Sequence, residues 1–125
     1  VLKAVGLLGD VVAPVPAGFF EEIVLYVDAL APREPKRGVA VMWVVVMGVN
    51  AGNNSLLQAK AQFYLGKAYN AWGRPHIADP ILDEAIEMFE AGIVTAIDDH
   101  AAICIEHAFG ALVAKTAKSG VLYRR

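Results

Sequence analysis

Charge is scarce in this sequence, and cysteine is almost missing. Charged residues fill 19% of the 125 positions, against about 25% in an average domain, while the apolar set reaches 57% and mean hydropathy is +0.47. A lone Cys104 excludes an internal disulfide and any multi-cysteine metal cluster, and it accords with a reducing, cytoplasmic setting. Long apolar runs are missing too. The longest, Val39 to Val49, has 11 residues and is interrupted by Gly48, whereas a spanning helix needs about 20. No segment combines a charged start, an apolar centre and a small-residue cleavage site. Net charge is −2, and apart from Arg124–Arg125 the basic residues are scattered, so the stripe that a nucleic-acid backbone requires is not there. Glycine-rich phosphate loops and nucleophile elbows are lacking. The adjacent acids Glu21–Glu22, Asp83–Glu84 and Asp98–Asp99 diverge on a helix and make poor acid–base couples. With membrane and nucleic acid set aside, the apolar excess is expected at a subunit interface.

What is present is helical spacing within a single domain over residues 1–125. Leu2, Val5 and Leu8 suit a short helix over Val1 to Val12 that Pro14 and Pro16 end. Phe20, Ile23, Val27 and Leu30 then share one face while Glu21, Glu22 and Asp28 lie off it, which is an amphipathic pattern. After the loop around Pro32 and Pro35, "GVAVMWVVVMGV" has a strand-like composition but no valine-rich partner. A lone strand would strand its backbone groups, so a buried helix is predicted. Asn54 or Ser55 can cap the next helix, which runs to about Trp72. Asp79 before Pro80 signals another start, with an end near Gly92. Asp98 or Asp99 can cap a last helix ending around Lys118, with Gly120 as its stop. The expected fold is all-α, a compact bundle of five or six helices that is oligomeric.

His100, Cys104 and His107 are the clustered soft ligands. Their i, i+4, i+7 spacing places them within about 60° on one helix face, and zinc accepts nitrogen and sulfur donors of this kind. Asp99 and Glu106 stand beside them, which makes His100, Glu106 and His107 the candidate catalytic residues. The plainer reading competes directly. Ile105, Phe109 and Leu112 form an apolar stripe roughly opposite, so that stripe is expected in the core and the histidine side, continued by Lys115 and Lys118, is expected as a polar face. His76 is a loop histidine near Asp79 and Asp83. Met42, Trp43 and Met47 suit either a ligand pocket or plain core, and Tyr64, Tyr69 and Trp72 suit half-wet core edges. The sequence does not specify a cofactor.

Two resemblances follow. "PKRGVAVMWVVVMGVN", "AGNNSLLQAKAQFYLG" and "ILDEAIEMFEAG" resemble, in order, the helices of the carboxymuconolactone decarboxylase and alkyl hydroperoxidase D-like family. That resemblance implies a small all-helical subunit forming homo-oligomeric trimers or hexamers and binding a small apolar molecule. The family's Cys-x-x-Cys-x-x-x-His positions hold Ala51, Asn54 and Gln58, so its thiol redox chemistry does not carry over. Locally, "AQFYLGKAYNAWG" is similar to the first helix of a tetratricopeptide repeat, with Ala61, Leu65, Gly66, Ala68, Tyr69 and Gly73 in register. The second helix fits only with an insertion or with Pro80 inside it. That resemblance implies a non-catalytic interaction subunit, part of a larger complex.

Overall fold

The computed structural model describes residues 17–52, 54–96 and 101–124, with side chains for 19–52, 54–93 and 106–118. Among these there are five helices and no strand: α1 (Ala17–Leu30), α2 (Pro35–Asn50), α3 (Ser55–Ala71), α4 (Pro75–Ala96) and α5 (Ala101–Arg124). The helix expected over Val1 to Val12 and the caps expected at Asp98 and Asp99 lie outside the described residues. The valine-rich segment is helical, as α2, and is buried through Val39, Met42, Val45, Val46 and Val49. None of the helices, over their described residues, is long and apolar enough to cross a membrane.

Local chemistry sets the boundaries. Asn54 Oδ1 accepts the Leu57 backbone N–H at 3.0 Å and caps α3. At the other end Gly73 takes φ +74°, and the N–H groups of Gly73 and Arg74 donate to the carbonyls of Asn70 and Tyr69. This is the paired closing bond of a Schellman turn, which favours glycine because a Cβ is strained there. Helix α4 begins at Pro75, not at Pro80. Pro75 occupies the first helical position, so the break falls at Gly73–Arg74 and Pro80 is carried inside the helix. Pro80 is tolerated because it faces solvent, while Ala78, Leu82, Ala85 and Phe89 on the opposite side are fully buried. The ends also shift. Gly92 does not stop α4, which reaches Ala96, and Gly120 does not stop α5, which reaches Arg124. A glycine inside a helix costs only about 1 kcal/mol, which packing readily offsets.

Each helix packs on its neighbours in sequence. The remaining contacts are α1 with α3 and α3 with α5; α1 does not touch α5, nor α2 touch α4, among the described residues. Odd helices therefore form one layer and even helices the other. Helix α3 is central and buries two faces. Leu57, Ala61, Leu65 and Ala68 join a core with Phe20, Ile23, Met42 and Val45, while Ala59 and Phe63 join a second core with Leu82, Phe89, Ala111 and Ala114. Each large side chain so buried contributes about 1.5–3 kcal/mol. The α3–α4 hairpin closes tightly at Gly66, where a Cβ would sit 2.7 Å from Leu82 Cδ2.

Candidate functional site

The predicted site residues fall in different environments. His107 is buried, only 1% exposed, and its ring fits against Gly92 on α4; a Cβ there would overlap the imidazole, with Nε2 2.5 Å away. The Phe89 ring meets it edge-on at 6.1 Å. Its Nδ1 is buried without a hydrogen-bond partner. Burial lowers the His107 pKa below its ordinary 6.5; the Glu106 charge acts in the raising direction and Lys60 adds to the lowering. Glu106 itself is exposed, so these adjacent residues point apart. His100 and the Cys104 side chain lie outside the described residues. Among the described residues no three histidine, cysteine or acidic side chains gather as metal donors.

The face of α5 is the reverse of the one expected. His107, Ala111 and Ala114 are buried, while Phe109 and Leu112 are 66% and 62% exposed. The cause is close helix approach. Gly110 lets the Phe89 ring lie against the α5 backbone, since a Cβ there would be 2.6 Å from Phe89 Cδ1. Small residues must fill such a contact, and the bulky ones are left outside. The signal that reports this in sequence is the glycine and alanine spacing Gly110, Ala111, Ala114, not the larger apolar stripe. Lys115 and Lys118 do not form a free polar face either. Lys115 reaches Glu90 at 3.8 Å, and Lys118 reaches Asp83 and, at 4.0 Å, Asp79.

Because α1 and α5 do not meet, the odd layer is open above α3. Here lies a groove of about 120 Å³ lined by Glu21, Lys60, Phe63, Tyr64, Phe89, Phe109, Gly110 and Val113. Its floor is aromatic: Tyr64 packs edge-on against Phe63 at 5.0 Å and Phe20 at 6.0 Å. Burial raises the Tyr64 pKa above its ordinary 10.0, and the negative charges of Asp28 and Glu21 add to the effect, so the phenol stays neutral. Lys67 lies over this ring at 5.6 Å and pairs with Asp28 at 3.8 Å. The groove was not foreseen; its clue is the same outward stripe on α5.

Other predicted positions have structural roles. Gln58 Nε2 donates to the carbonyls of Gly52 at 2.9 Å and Val49 at 3.3 Å, Asn54 caps α3, and Ala51 is exposed. All three therefore close or flank the α2–α3 turn. His76 is exposed in the first turn of α4. Met42 is core, while Trp43 and Met47 are 44% and 57% exposed, and Trp43 Nε1 donates to the Tyr69 hydroxyl at 2.8 Å. Neither described histidine is within hydrogen-bond reach of a hydroxyl or carboxylate, so a nucleophile–base pair is not assembled among the described residues. What the arrangement can do is bind: it offers an apolar channel with an aromatic floor and charges at its rim. No family model, curated protein or solved structure matches the chain.

Proposed function

We propose that this chain is a non-catalytic interaction subunit, a stack of tetratricopeptide-like helical hairpins that takes an apolar segment of a partner protein into the groove between α1, α3 and α5. The observation that carries this reading is the outward stripe of Phe109 and Val113 beside an open aromatic groove. Solvent-facing apolar surface of that kind is retained where a partner covers it. The α3–α4 hairpin supports it further: Gly66 is buried against Leu82 of the next helix while Leu65 and Ala68 pack toward α1 and α2, and the repeat-like spacing continues through Ala78, Leu82 and Ala85 with Pro80 inside. Such units bury their faces only by stacking on neighbours. A cytoplasmic location fits a chain with a single cysteine.

A second reading shares the groove. Here the chain is a decarboxylase-like homo-oligomer, a trimer or hexamer, holding a small apolar molecule. The lining favours it, since small-molecule sites are mostly apolar and aromatic with a few polar groups, as here with Glu21 and Lys60. Selection of a random peptide library on the native protein, counter-selected on Phe109→Asp, separates the two. The interaction reading expects peptides with apolar anchors that Phe109→Asp weakens at least tenfold. No enrichment, together with a closed trimer or hexamer by light scattering, would overturn it in favour of the second.

A further inference from the structure

Three cations around the turn into α2 and a fourth in the turn into α4 lie at one end of the fold, where Ala31 and Ala71 border one hollow and Lys67 pairs with Asp28. Helices α2 and α3 run antiparallel, with Trp43 against Tyr69 and Gln58 reaching back to Val49. The start of α2 therefore lies beside the end of α3, and the turns into α2 and α4 share one end. Arg33, Lys36, Arg37 and Arg74 are all exposed there, with His76 beside them. The acid within these two turns is Glu34, held by Arg37 at 3.3 Å. Arg33 and Lys36 form no ion pair with a described residue. The Arg74 guanidinium carbon lies over the Trp72 ring, 4.5 Å from its centroid, and Nη1 donates to the Gly73 carbonyl at 3.5 Å. Two helices also begin at this end, and neither has an acid in its first turn, so their dipoles add to the positive field.

We propose that this cationic end is a second docking surface, and that it takes a short Asp/Glu-rich segment of a protein partner. Three of the four cations are arginine, whose planar fork matches carboxylates in pairs. The patch is local in a chain whose net charge is −2, so the rest of the surface repels a long polyanion that would extend beyond it. A nucleic-acid duplex contacted through many phosphates fits this poorly. A lipid surface fits no better, because Trp72 is half-buried and covered by Arg74 and does not project as an anchor. This surface is separate from the groove and stands whether or not the groove binds a partner.

The two tryptophans, Trp43 and Trp72, give the test its signal. Trp43→Phe leaves Trp72 as the sole emitter, in contact with Arg74. Titration with a synthetic Asp/Glu-rich peptide at low salt should change Trp72 emission saturably, and affinity should fall at least tenfold toward about 150 mM salt, where charges are screened beyond ~8 Å. Arg33→Glu with Lys36→Glu should weaken binding at least tenfold, with unchanged circular dichroism. Lys60→Glu and Phe109→Asp, both in the groove, should leave it within twofold. Anisotropy of a labelled peptide on the chain with both tryptophans repeats the measurement without the Trp43 change. Absence of saturable binding by either signal overturns the proposal, as does equal affinity in the charge-reversed protein. Tighter binding to phosphatidylserine vesicles or to an oligonucleotide than to the peptide also overturns it.

Discussion

Replacing Gly92 with alanine places one methyl group against the His107 imidazole. The new carbon would lie 2.5 Å from Nε2 and closer still to Nδ1 and Cε1, whereas carbon contacts relax near 3.5–4.0 Å. The ring must retreat by about 1.5 Å, yet His107 is 1% exposed and the Phe89 ring stands edge-on against it. Overpacking of this kind costs about 1–3 kcal/mol, and a rigid ring without free space belongs at the upper end. Alanine returns about 1 kcal/mol of helix propensity, so the net loss is about 2 kcal/mol. At roughly 4 °C per kcal/mol for a domain of this size, Tm should fall by about 8 °C. The control is Gly38→Ala in α2, where the added Cβ meets only Val27 Cγ1 at 3.6 Å, an ordinary contact. There the same substitution should stabilise by about 0.4–1 kcal/mol. Urea denaturation followed by circular dichroism reads both. In a His107→Ala background the Gly92 penalty should shrink by at least ~1 kcal/mol, within the range of direct contacts. If both alanines shift stability in the same direction, or if the penalty survives loss of the imidazole, the close approach of α4 and α5 at this point is wrong.

Three other outcomes follow from the same geometry. Pro80→Ala should stabilise by about 1–3 kcal/mol, because an exposed proline inside α4 removes a helical hydrogen bond that alanine restores; an unchanged Tm would count against the continuous α4. His107 should make stability pH-dependent. Its folded pKa is lowered below 6.5, so the unfolded chain binds the proton first; the contribution is complete above pH 6.5, drains as pH falls toward the folded value, and levels off below it. His107→Gln should remove that component from the pH profile of urea unfolding, and an identical slope in the variant would refute the assignment. Metal analysis of gently purified protein should find zinc and iron far below one equivalent, since His107 packs against Gly92 and Phe89. Near-stoichiometric metal lost on His107→Ala would instead restore the three-ligand reading with His100 and Cys104.

Much of the helical framework was legible because it rests on local chemistry. The amphipathic spacing from Phe20 to Val27, the Asn54 cap and the helix end near Trp72 each act over a few residues. The valine-rich α2 became legible by exclusion, as no second strand-like run exists to complete its backbone bonds. The start of α4 was misplaced because two prolines five positions apart both fit a first turn, and only the burial of Ala78 on the inner face chooses Pro75. The site was harder. Helical periodicity gives weight to large apolar residues, and in α5 those residues point outward.

That inversion has one cause with two consequences. Helices α4 and α5 approach closely because Gly92 receives His107 and Gly110 receives Phe89, each position lacking the Cβ that would block it. A contact built from glycine and alanine buries little apolar area of its own, so α5 gains its hold through the inserted rings and not through Phe109 or Leu112. Freed from the core, Phe109 and Val113 border the groove above α3. Substitutions that widen the α4–α5 contact should therefore alter the groove as well as stability. Gly110→Ala, which pushes on the Phe89 ring from one side while that ring lines the groove on the other, is the variant in which the two effects meet. It should lower Tm and weaken groove-selected peptides together, whereas Phe109→Asp, with its side chain already in water, should weaken the peptides while leaving Tm within about 2 °C, as surface changes near ±0.5 kcal/mol do. A Gly110→Ala protein that loses stability but binds normally would separate core from groove and refute the shared origin.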